Sequence, residues 1–226
     1  MTFQGIVFDF NGTLFLDSDK QEQAWRIVSR ELRGEDFGKE EMRRHMHGRP
    51  SRAIFEYLTG RTLDEEEVWR LSAHKEEIYR DLCVKDREAF RLMPGAPELL
   101  DRLCRAGIPH TIATASEIVN VTFFFERFGL GRWFDRKKIV YDDGTFPGKP
   151  FPDIYLRAAA NLSLPPAACL VAEDAPSGIE AARRAGAGYI LALDTGATDP
   201  ERIRTLPGVR DVIGDFTAFD DSLLGL

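Results

Sequence analysis

Four short segments carry side chains that could do chemistry together: Asp9-Phe10-Asn11-Gly12-Thr13, Thr114-Ala115-Ser116, Gly148-Lys149-Pro150 and Glu173-Asp174. A carboxylate such as Asp9 can attack phosphorus as a nucleophile. Glu173 and Asp174, joined by Asp9, supply hard oxygen donors suited to Mg²⁺, which keeps waters and takes few carboxylates beside a phosphate. Lys149 is a fixed cation able to offset charge on a phosphoryl group and on its attacker. The Thr114 hydroxyl and the Ala115 N–H, expected at a helix N-terminus, would cradle an anion. Nucleophile, metal ligands, cation and anion cradle are the parts that phosphoryl transfer needs. Singly, each segment has an ordinary reading. Asn11-Gly12 is a turn pair, Ser116 a helix N-cap, Lys149-Pro150 a loop and Glu173-Asp174 an acidic turn. Taken in order, they point to one site.

For these segments to meet, each must leave the same edge of a sheet. The apolar run 5–8 reads as a buried strand ending at Asp9. From 17 to 85 the pattern is helical throughout. Ser18 and Gln21 form a capping box for a helix with Ala24, Trp25, Val28 and Leu32 on one face. Two further helices are expected over 39–46 and 51–58. A fourth starts at Asp64, with Glu67 at the capping-box position and Val68, Leu71, Ile78 and Leu82 along one side. After Pro94-Gly95, Pro97 opens a helix that Gly107 closes. Strands are then expected at 111–113, 139–141, 170–172, 189–193 and 212–213. Helices over 117–128, 152–162, 177–185 and 199–206 alternate with them. Such alternation builds a doubly wound parallel sheet, whose ligands sit at the carboxyl ends of the strands. The helical block inserted after the first strand is then a separate domain. The expected division is a discontinuous α/β core, 1–15 with 88–226, and an all-helical insert, 16–87.

Composition fits a globular chain. The 226 residues are 43% hydrophobic and 30% charged, enough for a sizeable core and unlike a disordered tail. A net charge of −7 argues against nucleic-acid or anionic-membrane partners. The longest uncharged stretch, 158–172, is broken by Pro165 and Pro166, and a span needs about 18 apolar residues, so no membrane segment is expected. No basic region precedes the first strand, so a signal peptide is not expected. Cys83, Cys104 and Cys169 lack Cys-x-x-Cys spacing and read as small buried residues in a cytoplasmic protein.

The motifs resemble those of the haloacid dehalogenase superfamily of aspartate-nucleophile phosphotransferases. Within it the chain is similar to the beta-phosphoglucomutase-like and phosphoglycolate-phosphatase-like subgroup. The matching segments are Phe8-Asp9-Phe10-Asn11-Gly12-Thr13-Leu14, Ala113-Thr114-Ala115-Ser116, Gly148-Lys149-Pro150-Phe151-Pro152-Asp153 and Glu173-Asp174-Ala175-Pro176-Ser177-Gly178. The resemblance implies a Rossmann-like core with a helical cap. It also implies a nucleophile at Asp9 that becomes an aspartyl-phosphate, phosphate binding by Thr114, Ala115 and Lys149, and Mg²⁺ as cofactor. Asp9, Glu173, Asp174 and the backbone carbonyl of Asn11 would hold the metal. The implied partner is a small phosphorylated metabolite, and a monomer is a plausible state. The cap segment His45-Met46-His47-Gly48-Arg49-Pro50-Ser51-Arg52 would face the substrate, with Arg49 or Arg52 gripping a second anionic group.

One position departs from the family pattern. Its phosphatases carry a general acid–base Asp where this chain has Asn11, and an amide neither gives nor takes a proton at neutral pH. Several readings follow. The chain is a slow phosphatase or one with another base, a phosphometabolite-binding module on the same scaffold, or a chain in which the Asn was introduced by design. A phosphonate hydrolase would need a lysine three residues after Gly48, where Ser51 stands. A phosphomutase would need Asp at position 11 and a cap histidine near Lys20 or Gln21, and stays a minor reading. The Phe123-Phe124-Phe125 run with Phe128 reads as a buried helix face.

Overall fold

The computed structural model describes residues 2–196 and 200–226. They fall into two compact units, Met1–Leu16 with Arg91–Leu226, and Asp17–Phe90. The first holds a parallel sheet. Its strands are β1 (Gly5–Phe8), β2 (His110–Glu117), β3 (Val140–Asp142), β4 (Cys169–Glu173), β5 (Tyr189–Leu193) and β6 (Val209–Ile213), in the order β3-β2-β1-β4-β5-β6. β1 is apolar throughout because neighbours cover both its faces, and all four of its residues are buried. Val7 pairs with Thr111 on one side and Val171 on the other, so β1 and β4 end within a residue of each other while β2 runs on past them. The chain builds outward from β1 to β3 and then crosses to β4, which makes the β1–β4 boundary the switch point where a ligand crevice opens. This is the expected α/β Rossmann-like architecture.

The helices between the strands are α5 (Ala96–Ala106), α6 (Ile118–Arg127), α7 (Asp153–Asn161), α8 (Pro176–Ala185) and α9 (Pro200–Arg204). α5 begins and ends as its sequence predicts, with Pro97 in the first turn and Gly107 at φ 66° closing it. Val7, Ala113 and Val171 of the sheet pack with Ile154 and Tyr155 of α7 and Ile179 of α8. Of the expected helix 199–206, Asp199 lies outside the described residues, as does Met1. Met93 N donates to Leu14 O at 2.8 Å, so the segments flanking the insertion lie side by side in the core unit.

β2 corrects the reading of the second motif. The apolar pattern stops at Ala113, but pairing with β3 carries the strand on to Glu117 through an irregularity in register. Thr114, Ala115 and Ser116 are therefore extended backbone ahead of α6, not its N-terminus, and the N-cap is Glu117 instead of Ser116.

The second unit contains helices throughout: α1 (Ser18–Arg33), α2 (Lys39–His45), α3 (Ser51–Thr59) and α4 (Glu65–Lys85). Trp25 and Val28 of α1 join Met42, Ile54, Phe55 and Leu71 in an apolar core of their own. The Asp64–Glu67 capping box forms, with Glu67 N donating to Asp64 Oδ1 at 2.8 Å. The Ser18–Gln21 box does not. Asp17 holds the N-cap position, and its Oδ2 accepts from Gln21 Nε2 at 3.2 Å. On α4 the buried face is Leu71, Lys75, Tyr79 and Cys83, rotated from the expected stripe, with Leu82 half-buried. Lys75 tolerates burial because its ammonium bonds Gln21 and Glu76 and lies over the Trp25 and Tyr79 rings. Cys83 and Cys169 are buried, whereas Cys104 is exposed, contrary to expectation, since its position on α5 faces away from the core. Among the described residues no helix is long and apolar enough to cross a membrane.

Candidate active site

The site grows from the shared edge of β1 and β4. Asp9 N donates to Ala172 O at 2.9 Å, which continues the ladder one residue past β1 and sets the Asp9 carboxyl beside Glu173. Both are buried, Asp9 to 5% exposure and Glu173 to none. Lys149, in the loop before α7, reaches between them. Its Nζ donates to Asp9 Oδ1 at 2.6 Å and to Glu173 Oε1. The Lys149–Pro150 peptide is cis.

Further bonds aim the acidic pair. Glu173 Oε1 accepts from Tyr155 OH at 3.1 Å, and Oε2 from the Ala175 N–H at 2.7 Å. Asp174 Oδ1 accepts from Thr13 Oγ1 at 3.2 Å. Two glycines make room for these carboxylates. Gly12, at φ 81°, sits so close to Asp174 that any Cβ would overlap its carboxylate. A Cβ at Gly178 in α8 would overlap that of Glu173.

Asn11 points its Oδ1 at the end of β2, where it accepts from Ser116 Oγ at 2.8 Å and Thr114 Oγ1 at 3.4 Å. Thr114 Oγ1 in turn accepts from Ser116 N at 3.1 Å. The loop that carries Asp9 and Asn11 is anchored by rings. Phe10 packs on Phe124 of α6 with centroids 4.6 Å apart, and Phe15 on Phe128 at 5.1 Å. Gly12 N donates to Phe15 O at 2.7 Å across the turn. Phe124 is buried, while Phe123, Phe125 and Phe128 are half-buried, so Phe124 and Phe128 anchor the loop after β1 and only part of the run is core.

Asp9, Glu173 and Asp174 bring carboxylate oxygens within 4.8 Å of one another. This donor set fits Mg²⁺ on two grounds. The ligand atoms are hard oxygens, and three carboxylates face one nearby ammonium, Lys149. The surplus negative charge and the burial both raise the carboxyl pKa values. Burial, reinforced by Glu173, lifts the Asp9 carboxyl to about 7 against the pull of Lys149. Burial, with Glu173 and Asp9 adding to it, lifts Asp174 to about 8. Burial alone would lower the Lys149 pKa, but Asp9 and Glu173 outweigh it and hold the ammonium charged well above its ordinary range.

The core thus brings together Asp9, Asn11, Thr114, Lys149, Glu173 and Asp174 at adjoining strand ends. Tyr155 and Gly178 were not singled out from sequence as site residues, because their part depends on helices that pack onto the sheet from elsewhere. Ser116 was noted, but as a cap. In the other unit, Arg52 is tied to Leu63 O at 2.7 Å and Glu65 Oε1 at 2.5 Å, whereas Arg49 is exposed.

Known proteins with this fold and these motifs are numerous. The sequence pattern of the haloacid dehalogenase-like hydrolases matches residues 3–186. The crystal structure of a haloacid dehalogenase hydrolase of family IA, variant 3, from Entamoeba histolytica superposes with a TM-score of 0.91 at 32% identity, covering 98% of this chain and 97% of that one. Protein CbbY of Rhodobacter capsulatus is 30% identical over 84% of this chain and 86% of its own length. Hexitol phosphatase A of Escherichia coli is 29% identical over 88% of this chain and 87% of its own. On this match, the chain belongs to the haloacid dehalogenase-like hydrolase family and is an enzyme of its phosphatase type.

Proposed function

We propose that the chain is a Mg²⁺-dependent phosphohydrolase of a small phosphorylated metabolite, a sugar phosphate or a close analogue, working through an aspartyl-phosphate on Asp9. The observation that most supports this is the buried Lys149 ammonium, 2.6 Å from Asp9 Oδ1 and bonded also to Glu173. A cation locked there holds one carboxylate oxygen in place and leaves the other to attack. The relation to a hexitol phosphatase supports the substrate class.

Asp9, Glu173, Asp174 and the Asn11 backbone carbonyl would hold Mg²⁺. When bound, the ion supplies positive charge against the phosphoryl oxygens and favours the ionised carboxylates. The Thr114 hydroxyl and Ala115 N–H bind those oxygens, and Lys149 offsets the charge that gathers during transfer. Asp9 attacks phosphorus, an Asp9–phosphorus bond forms, and the ester bond to the leaving oxygen breaks. Water then attacks the phosphorus of the aspartyl-phosphate, the Asp9 oxygen–phosphorus bond breaks, and phosphate leaves with the water's proton as the Asp9 carboxylate is restored. Asn11 can donate a hydrogen bond in these steps but cannot transfer a proton, which for general acid–base catalysis forfeits about 10²–10⁴-fold. An aryl leaving group needs no proton and suffers least. In the cap, we assign recognition of the substrate's distal group to Arg49, since the Arg52 guanidinium is bonded within the cap.

The test is phosphate release from p-nitrophenyl phosphate with and without Mg²⁺, for the parent, Asp9→Ala and Asn11→Asp. Mg²⁺-dependent turnover is expected in the parent, none in Asp9→Ala, and a gain in Asn11→Asp that comes from the water-attack step alone and is smaller than the gain for an alkyl phosphate. Turnover that survives Asp9→Ala would sink the nucleophile assignment. Turnover confined to Asn11→Asp would favour the second reading, a phosphometabolite-binding protein idled at one residue.

A further inference from the structure

We propose that Tyr155 is a positioning residue: its hydroxyl, bonded to Glu173, keeps the shared Lys149 ammonium on Asp9, the nucleophile of the proposed reaction. The inference rests on the phosphatase reading above and deepens it.

Lys149 offers one ammonium to two buried carboxylates. Its Nζ donates to Asp9 Oδ1 at 2.6 Å and to Glu173 Oε1. How the cation divides between them depends on what else each carboxylate accepts. Glu173 is well supplied: Oε2 takes the Ala175 N–H at 2.7 Å, and Oε1 takes the Tyr155 hydroxyl at 3.1 Å beside Lys149. The partners fix the direction of that last bond. An ammonium and a backbone N–H can only donate, so Glu173 serves as acceptor at both oxygens and the tyrosine gives its proton to Oε1. Each such bond satisfies part of the carboxylate's charge and loosens its hold on Lys149. Without the hydroxyl, Oε1 would be left with Lys149 alone. Glu173 has no exposed surface, which keeps bulk water from supplying the missing donor. The ammonium would then be drawn toward Glu173 and off Asp9.

Packing puts Tyr155 in place. It lies in the first turn of α7, is 2% exposed, and belongs to the apolar cluster that holds Val7, Val171 and Ile179. Lys149 Nζ lies over its ring, 5.3 Å from the centroid, so one side chain supports the cation with its face and the carboxylate with its hydroxyl. Phenylalanine at this position would keep the ring and its packing and lose only the oxygen. The positioning role can therefore be separated from a purely structural one.

The experiment compares the parent with Tyr155→Phe in Mg²⁺-dependent p-nitrophenyl phosphate hydrolysis and in crystal structures grown under the same conditions without added metal. Kcat is expected to fall about tenfold, the order that follows from losing a hydrogen bond to a charged group. KM should stay within about twofold, because the hydroxyl is engaged with Glu173 and not with substrate. In the variant crystal, Lys149 Nζ should remain on Glu173 and lie beyond hydrogen-bond reach of Asp9 Oδ1, further than about 3.2 Å. A kcat within twofold of the parent would overturn the proposal. So would a lowered kcat with the Lys149–Asp9 bond intact, since the loss would not then pass through the ammonium. Absence of turnover in the parent would instead sink the phosphatase reading, and the two crystal structures would still decide whether Tyr155 positions Lys149.

Discussion

Asp9 and Asp174 tie the protein's stability to pH and, on the proposed reading, to Mg²⁺. Each carboxyl is lifted from an ordinary 3.8, to about 7 and about 8, so each holds its proton more tightly in the folded chain than in the unfolded one. Between about pH 4 and about pH 8 the folded state then binds more protons, and stability of the metal-free protein falls as pH rises through that window. Mg²⁺ bound at these carboxylates would compete with those protons, so its stabilising effect would run the other way. The rise in melting temperature on adding Mg²⁺ should be small at pH 5.5 and grow toward pH 8. A shift independent of pH would remove these two carboxyls from the metal site. Asn11 belongs to the same scale: its identity was plain in the sequence, but its bonds to Thr114 and Ser116 were not, because those hydroxyls lie more than a hundred residues along the chain.

At the scale of elements, the loop after β1 is held by aromatic packing onto α6. Phe124 touches both Phe10 and Phe15, at centroid distances of 4.6 and 5.9 Å, and is buried to 2% exposure. Phe124→Ala should cost about 3–5 kcal/mol. In a chain of this size that lowers the melting temperature by something on the order of 10 °C. It should also lower kcat more than it raises KM, since the loop that carries Asp9 loses its anchor. Calorimetry and steady-state kinetics check both; a stability loss with unchanged kcat would show that hydrogen bonds alone hold the loop. The alternation of strands and helices was legible, and so was the helix stop at Gly107, where left-handed backbone follows the last turn. The continuation of β2 through Thr114, Ala115 and Ser116 was not. These residues are small or polar and carry no apolar alternation, and the strand is recognised only because pairing with β3 resumes at Glu117.

At the scale of the molecule, the chain forms two units, each with an apolar cluster of its own. Arg49→Ala is expected to raise KM for a sugar phosphate several-fold and leave p-nitrophenyl phosphate almost untouched, a contrast that parallel KM measurements would reveal. Arg52→Ala, by contrast, removes bonds to Leu63 O and Glu65 and should act through cap stability. Unchanged KM in Arg49→Ala would take that residue out of specificity. The sequence by itself determined the fold class, the inserted helical block and the order of the motifs, because hydrophobic period, turn residues and caps are local and repeat along the chain. Its types also limited the chemistry, since a nucleophilic carboxylate, an acidic pair and an amide at position 11 are matters of composition. Tertiary structure alone decided that Lys149 bridges Asp9 and Glu173, that Tyr155 and Thr13 aim the acidic pair, that Lys75 belongs on the buried face of α4, and that Ser116 bonds Asn11 instead of capping a helix. Each is a contact between residues distant in sequence or a property of the packed surface around one residue. No local pattern can specify which of several polar groups burial will bring within hydrogen-bond reach.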